Sequence, residues 1–159
     1  MQISIIAVGK IKEKYLQEGM SEYEKRLRPY IKLQVLEIPD EKRGARLSAA
    51  QESQVKEREG GRILAALDPA TYVVALDLTG ERWSSVDFAR HLQEWEISGR
   101  NHITFIIGGD LGLSGSILAR CHMRLSLSPM TFTHRMARLI LLEQVYRAFR
   151  ILRGEPYHK

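Results

Sequence analysis

Short β-prone apolar runs alternate with amphipathic helical stretches from one end of the chain to the other. "QISIIAV" (2–8) is a strand-like run, and after "GKIKEK" the residues Leu16, Met20, Tyr23 and Leu27 recur at helical spacing until Pro29. In "IKLQVLEI" (31–38) alternation puts Ile31, Leu33 and Val35 on one face, as in a half-buried strand. Ser48 and Gln51 form a capping box for a helix that runs to about Leu67. "TYVVALDL" (71–78) is almost continuously apolar, the mark of a central strand covered on both faces, and "TGER" is expected to turn it. Ser84 and Asp87 open a helix carrying Phe88, Leu92 and Trp95. Strand 102–107, a glycine loop, a short helix near 114–121, the strand "MRLSLS" and a helix over about 134–153 complete the pattern before the tail "GEPYHK". Five strands alternating with helices predict an α/β fold with a mostly parallel sheet flanked by helices. With no repeat or linker, residues 1–159 read as a single domain.

Composition narrows the setting. The chain is 44% apolar and 27% charged, as ordinary globular proteins are. Its start reads as a first strand and no signal peptide, and no apolar run approaches the roughly 20 residues of a membrane span. The single cysteine, Cys121, excludes an internal disulfide or a Cys-rich zinc site and reads as a small buried hydrophobe, which makes a cytoplasmic setting the expectation. A net charge of +5 points to an anionic partner, nucleic acid before membrane. The polar stretch "PDEKRGARLSAAQESQ" reads as a mobile loop. Its cations Lys42, Arg43 and Arg46 are either a phosphate contact or merely solvated.

Chemistry first suggests itself in "HITFIIGGDLGLSGSIL" (102–118). Gly108 and Gly109 follow a strand, and ligands of open α/β sheets bind beyond the carboxyl ends of strands. Glycines there leave space for a ligand or another backbone, or simply serve a tight turn. A P-loop would need Lys and Ser or Thr directly after its last glycine, and a dinucleotide fingerprint would need G-x-G-x-x-G after the first strand. "GGDLGLSG" is neither, which disfavours a nucleotide-binding oxidoreductase. No His-x-x-His or carboxylate pair has metal-ligand spacing, and no metal is expected.

The last third, "MRLSLSPMTFTHRMARLILLEQVYRAFRILRGEPYHK", holds a proline-interrupted loop and an amphipathic helix. Leu139, Leu142, Val145, Tyr146, Phe149 and Leu152 form its broad apolar face. Met136, Ile140, Glu143 and Arg147 form a second stripe, in which Glu143 and Arg147 are either a functional pair or an ordinary i,i+4 surface pair.

Taken together, "AVGK", "LDLTG", "FIIGGDLGLS", "LSPMTFTH", "EQVYRAFRI" and the terminal "PYHK" resemble the ribosomal RNA large subunit methyltransferase H family. This is a small branch of the trefoil-knotted SPOUT methyltransferases, and the resemblance spans the full length. It departs at Thr133, where the family usually has proline before the histidine.

The resemblance implies a C-terminal trefoil knot, an exception to the rule that folds avoid knots. It also implies a bound S-adenosylmethionine lined by Leu76, Gly108, Gly109 and the run Leu127, Ser128, Pro129, Met130, Thr131 and Phe132. On this reading the glycines make room for the cofactor. The chain would be a homodimer packed through its long helix, with 23S rRNA in the assembled 70S ribosome as partner and no metal or membrane. The implied reaction is N3 methylation of a pseudouridine. An imide nitrogen must shed its proton before it attacks a methyl group, and histidine titrates in the right range. His158 is the preferred base and His134 the second. Tyr157 would stack on the base, and Arg147, oriented by Glu143, would anchor a phosphate or carbonyl. The competing reading of the tail is fraying. The competing reading of the whole is a non-catalytic RNA-binding or ribosome-assembly module with the same fold.

Overall fold

The computed structural model describes residues 1–157. Five strands and five helices alternate: β1 (Gln2–Val8), α1 (Lys14–Leu27), β2 (Lys32–Ile38), α2 (Ala49–Ala66), β3 (Tyr72–Arg82), α3 (Ser85–Ile97), β4 (His102–Ile107), α4 (Gly115–Arg120), β5 (Met123–Ser126) and α5 (His134–Leu152). All pairings are parallel, in the order β2-β1-β4-β3-β5. The expected α/β architecture is therefore the one observed.

The sheet sorts its side chains by the two-residue period of extended chain. On one face Ile3, Ile5, Ala7, Ile103, Phe105 and Ile107 meet Leu16, Leu92, Leu142 and Val145 from α1, α3 and α5. On the other face Ile6, Val8, Val73 and Ile106 meet Ile63 of α2 and Ile117 of α4. Buried on both sides, β1 and β4 need mostly apolar runs, interrupted only by the buried hydroxyls of Ser4 and Thr104. Edge strand β2 leaves Leu33 and Val35 half-buried, with Ile31 just outside it.

Helix starts follow from local chemistry. Ser48 and Ser84 each accept a hydrogen bond from the amide three residues on, and Gln51 and Asp87 return one. Thr133 caps α5 by accepting from the Met136 amide at 3.2 Å, a role open to a hydroxyl and closed to a proline side chain.

Two expectations need correction. "TGER" does not end β3. The strand continues to Arg82 through an irregularity that moves its pairing with β5 from Leu76–Leu125 to Glu81–Leu125. There β5 runs so close that a Cβ on Gly80 would stand 2.6 Å from backbone atoms of Arg124 and Leu125. The polar stretch after β2 is a loop only over 39–48, and it is tied down. Glu41 pairs with Arg58 and Arg62, Arg62 donates to the Pro39 carbonyl, and Arg43 pairs with Asp110.

Candidate active site

The chain topology puts a cleft beside the glycine loop. β1 and β3 connect through α1 and α3 on one face, whereas β4, between them, connects through α4 on the other. Connections that part on both sides of one strand leave a crevice at its carboxyl end. A cleft of about 980 Å³ lies there, at the upper end of the roughly 300–1,000 Å³ usual for small-molecule sites.

Its walls gather the sequence-derived cofactor residues. Leu76, Gly108, Gly109, Leu127, Ser128, Met130, Thr131 and Phe132 all line it, and Pro129 does not. Ser126 and Ser128 shape the last segment. Ser126 Oγ donates to the Ser128 carbonyl, and the Met130 amide donates to Ser128 Oγ, each at 3.0 Å.

The reason for the paired glycines is not the one expected. A Cβ on Gly108 would stand 2.8 Å from the carbonyl carbon of Gly112, and one on Gly109 would stand 3.3 Å from Glu59 Oε2. Neither glycine has positive φ; Gly112 does, at 84°. The side chains are missing because the loop folds onto itself and onto α2, closed by the Gly112 amide bonding to the Gly109 carbonyl at 3.0 Å. The open position is Gly112, which lines the cleft with nothing within 4 Å of a Cβ built there.

His134 stands in the cleft wall, half-buried. Burial first, then the charges of Arg138 and Arg135, push its pKa below the ordinary imidazole value, which favours the neutral ring. Arg138 was not singled out in the sequence. It is fully buried and donates to the carbonyls of Val8 and Gly9, each at 2.6 Å, and to Glu37 at 3.0 Å. Arg135 ties the same helix start to Glu13 at 2.6 Å. An arginine on an apolar helix reads as a surface residue, and only the tertiary fold reveals where this one points.

Glu59 was also missed. It is buried under Gly109, and burial, then the charge of Asp110, raises its pKa above the usual carboxylate range. Cys121 is half-buried, with its thiol pushed up to about 11 by burial, so it is a poor nucleophile at neutral pH.

Glu143, Arg147 and Tyr157 are brought together, but not at the cleft. Arg147 pairs with Glu143 at 2.6 Å, and the Tyr157 hydroxyl donates to Glu143 Oε1 at 3.1 Å. The Arg147 guanidinium lies 4.7 Å from the centre of the Tyr157 ring, which meets Tyr146 edge-on. As far as Tyr157 the tail is therefore packed, with Glu155 held by Arg150 at 2.6 Å. None of the three lines the cleft. The helical rise puts Glu143 about 14 Å and Arg147 about 20 Å along α5 from His134. His158, the preferred base, lies outside the described residues. Among the described residues, no group of three or more His, Cys, Asp or Glu is arranged to hold a metal, and no helix is long and apolar enough to cross a membrane.

Residues 1–158 match the family model described as "Predicted SPOUT methyltransferase". A protein of Methanoregula boonei is 61% identical over 159 residues, with both chains fully covered. Ribosomal RNA large subunit methyltransferase H of Carboxydothermus hydrogenoformans is 54% identical and that of Enterococcus faecalis 48%, again over the whole of both chains. The chain belongs to the ribosomal RNA large subunit methyltransferase H family, within the SPOUT methyltransferases. Solved structures share the fold at much lower identity. A probable methylase family protein of Haemophilus influenzae superimposes with TM-score 0.58 at 13% identity, covering 99% of this chain and 70% of that one. TrmJ of Z. mobilis gives 0.56 at 12%, covering 100% and 73%.

Proposed function

We propose that this protein is an S-adenosylmethionine-dependent methyltransferase acting on N3 of a pseudouridine in 23S rRNA of the assembled 70S ribosome, and that it works in the cytoplasm as a homodimer with a knotted C-terminal segment. The observation that carries the reading is the cleft itself. In a chain of this family, the glycine loop and the 127–132 segment converge on one cavity of cofactor size. The walls fit such a cofactor: apolar Leu76 and Leu127, the bare backbone of Gly112, and the polar segment 126–131.

When bound, the cofactor supplies a methyl group already activated on a sulfonium, so the protein's task is to hold the imide nitrogen in line and take its proton. His134 faces the cleft with its neutral form favoured, and is an acceptor as it stands. The tail works differently. Glu143, Tyr23 and Tyr146 hold Tyr157 far along α5, so Tyr157 would meet a cleft in a second copy of the chain rather than its own. The exposed Leu78, Met130 and Phe132, with Ile140 beside them in a smaller groove, form the apolar face on which that copy would pack.

The test is tritium transfer from labelled S-adenosylmethionine to ribosomes from a strain lacking the modification, with the labelled nucleotide mapped. Label at N3 of a single pseudouridine is the expected result. Normal cofactor binding with no transfer to ribosomes or naked RNA would instead establish the non-catalytic binding module.

A further inference from the structure

One feature of the cleft has no place in cofactor binding. Among the described residues, Tyr15 is a large hydrophobic side chain left 63% exposed, and it lines the cleft from the first turn of α1. Lys10, Lys12 and Lys14 precede it within five residues of the chain, all exposed. Lys14 reaches Glu18 only at 4.0 Å, and Lys10 and Lys12 make no ion pair among the described residues. The segment is held firmly. The Gly9 amide bonds to the Ile38 carbonyl at 2.7 Å, the Ile11 amide to Glu37 at 3.2 Å, and Glu13 is fixed by Arg135. Through the Gly9–Ile38 bond it adjoins loop 39–48, where Lys42 and Arg46 are likewise exposed and without an ion pair. Of the nearby acids, Glu13, Glu37, Glu41 and Asp110 are each engaged by an arginine, while Asp40 and the buried Glu59 make no ion pair among the described residues.

An exposed aromatic on a fixed backbone, in a segment and adjoining loop rich in exposed cations without ion pairs, matches the demands of an unpaired nucleic-acid strand. Bases stack on the ring, and phosphates take the cations. The cofactor is the poorer match, because its one carboxylate is outweighed by a sulfonium and an ammonium and cannot satisfy four cations. An apolar protein surface would leave the lysines to be desolvated without partners.

We propose that Tyr15 is the stacking platform for an unpaired base of the RNA next to the target nucleotide, and that Lys10, Lys12, Lys42 and Arg46 hold the flanking phosphates. The proposal rests on the methyltransferase reading, and it locates the RNA at the β1–α1 and β2–α2 connections beside the cleft.

The experiment compares wild type, Tyr15→Phe, Tyr15→Ala and the double variant Lys10→Gln/Lys12→Gln. Filter binding to unmodified ribosomes across a salt series is paired with calorimetry of S-adenosylmethionine and with thermal melts. Tyr15→Ala should weaken ribosome binding roughly tenfold, as expected for one lost base stack. Tyr15→Phe should stay near wild type, with cofactor affinity and melting temperature unchanged in both. The lysine double variant should lower the salt slope by about 1.4, the value for two single-strand phosphate contacts. The proposal is overturned if Tyr15→Ala binds ribosomes like wild type. It is equally overturned if that variant loses cofactor affinity instead, which would assign the ring to the cofactor. Tyr15-dependent ribosome binding by a wild-type protein that transfers no methyl group would keep the platform and remove the enzymatic reading.

Discussion

Arg138→Met is the sharpest probe of how this fold builds its cleft. The guanidinium is fully buried and bonds the carbonyls of Val8 and Gly9 and the Glu37 carboxylate. Methionine fills much of the same volume and supplies no donor. Removing one partner of a buried charge pair costs roughly 3–5 kcal/mol, and each hydrogen bond to a charged group contributes about 1.5–3 kcal/mol. Glu37 is 37% exposed, so water can take over part of its loss. The two carbonyls have no such relief. The expected destabilisation is therefore near the lower figure, about 3 kcal/mol, from a typical total of about 5–15 kcal/mol. Urea unfolding at fixed protein concentration measures it. A second readout is specific to the site. Arg138 is the largest charge contribution lowering the His134 pKa, so the variant's His134, followed by NMR, should titrate at higher pH than wild type while burial still holds it below the ordinary value. A loss under about 1 kcal/mol, the worth of one ordinary neutral hydrogen bond, together with an unmoved His134, would refute the account.

Other substitutions test neighbouring parts. Gly108→Ala drives a Cβ to within 2.8 Å of the Gly112 backbone; it should lower stability by about 1–3 kcal/mol and weaken cofactor binding, and wild-type values in both melts and calorimetry would count against it. Glu59→Gln should stabilise the protein at neutral pH. The raised pKa of Glu59 means the folded state keeps a proton that the unfolded state releases above about 4.5, so wild-type stability falls as pH rises through that window, and the variant should show no such fall in pH-dependent unfolding. Mixing chains lacking 155–159 with His134→Ala chains should restore methyl transfer to about a quarter of wild type if the tail serves the partner's cleft, since random pairing gives one complete site in half of the dimers. No recovery on mixing would return the tail to its own chain.

Much of this was legible in the sequence because it rests on periodicity and local capping. Mostly apolar runs marked β1 and β4, and Ser48 and Ser84 marked the starts of α2 and α3 to the residue. That these residues share one cleft was legible only through family resemblance, since nothing local joins Leu76 to Leu127. What stayed hidden is tertiary. Arg138 and Glu59 look like ordinary helix-surface charges until the fold lays α5 across the end of β1 and the glycine loop over α2. Gly80 hid a strand continuation, because the tight approach that forbids a side chain there comes from β5, more than forty residues away. The glycine pair misled in the same way. Sequence can say that no side chain fits at Gly108, but not whether a ligand or the chain's own Gly112 fills the space.

Helix α5 connects these observations. Its first turns carry His134 and Arg135 into the cleft wall, and Arg135 and the buried Arg138 bind α1 and the end of β1 to the helix. Its last turns carry Glu143, Tyr146, Arg147 and Arg150, which clamp the tail through Tyr157 and Glu155. Between the two ends Leu141, Leu142, Val145 and Ala148 are buried against the sheet, so the helix cannot bend to bring them together without giving up core contacts. A helix of 19 residues spans about 28 Å. That fixed separation makes it unfavourable for one chain to close its own tail over its own cleft. Two chains packed across the exposed apolar wall around Met130 and Phe132 face no such constraint. If the tail takes part in the reaction, the complete active site belongs to the dimer.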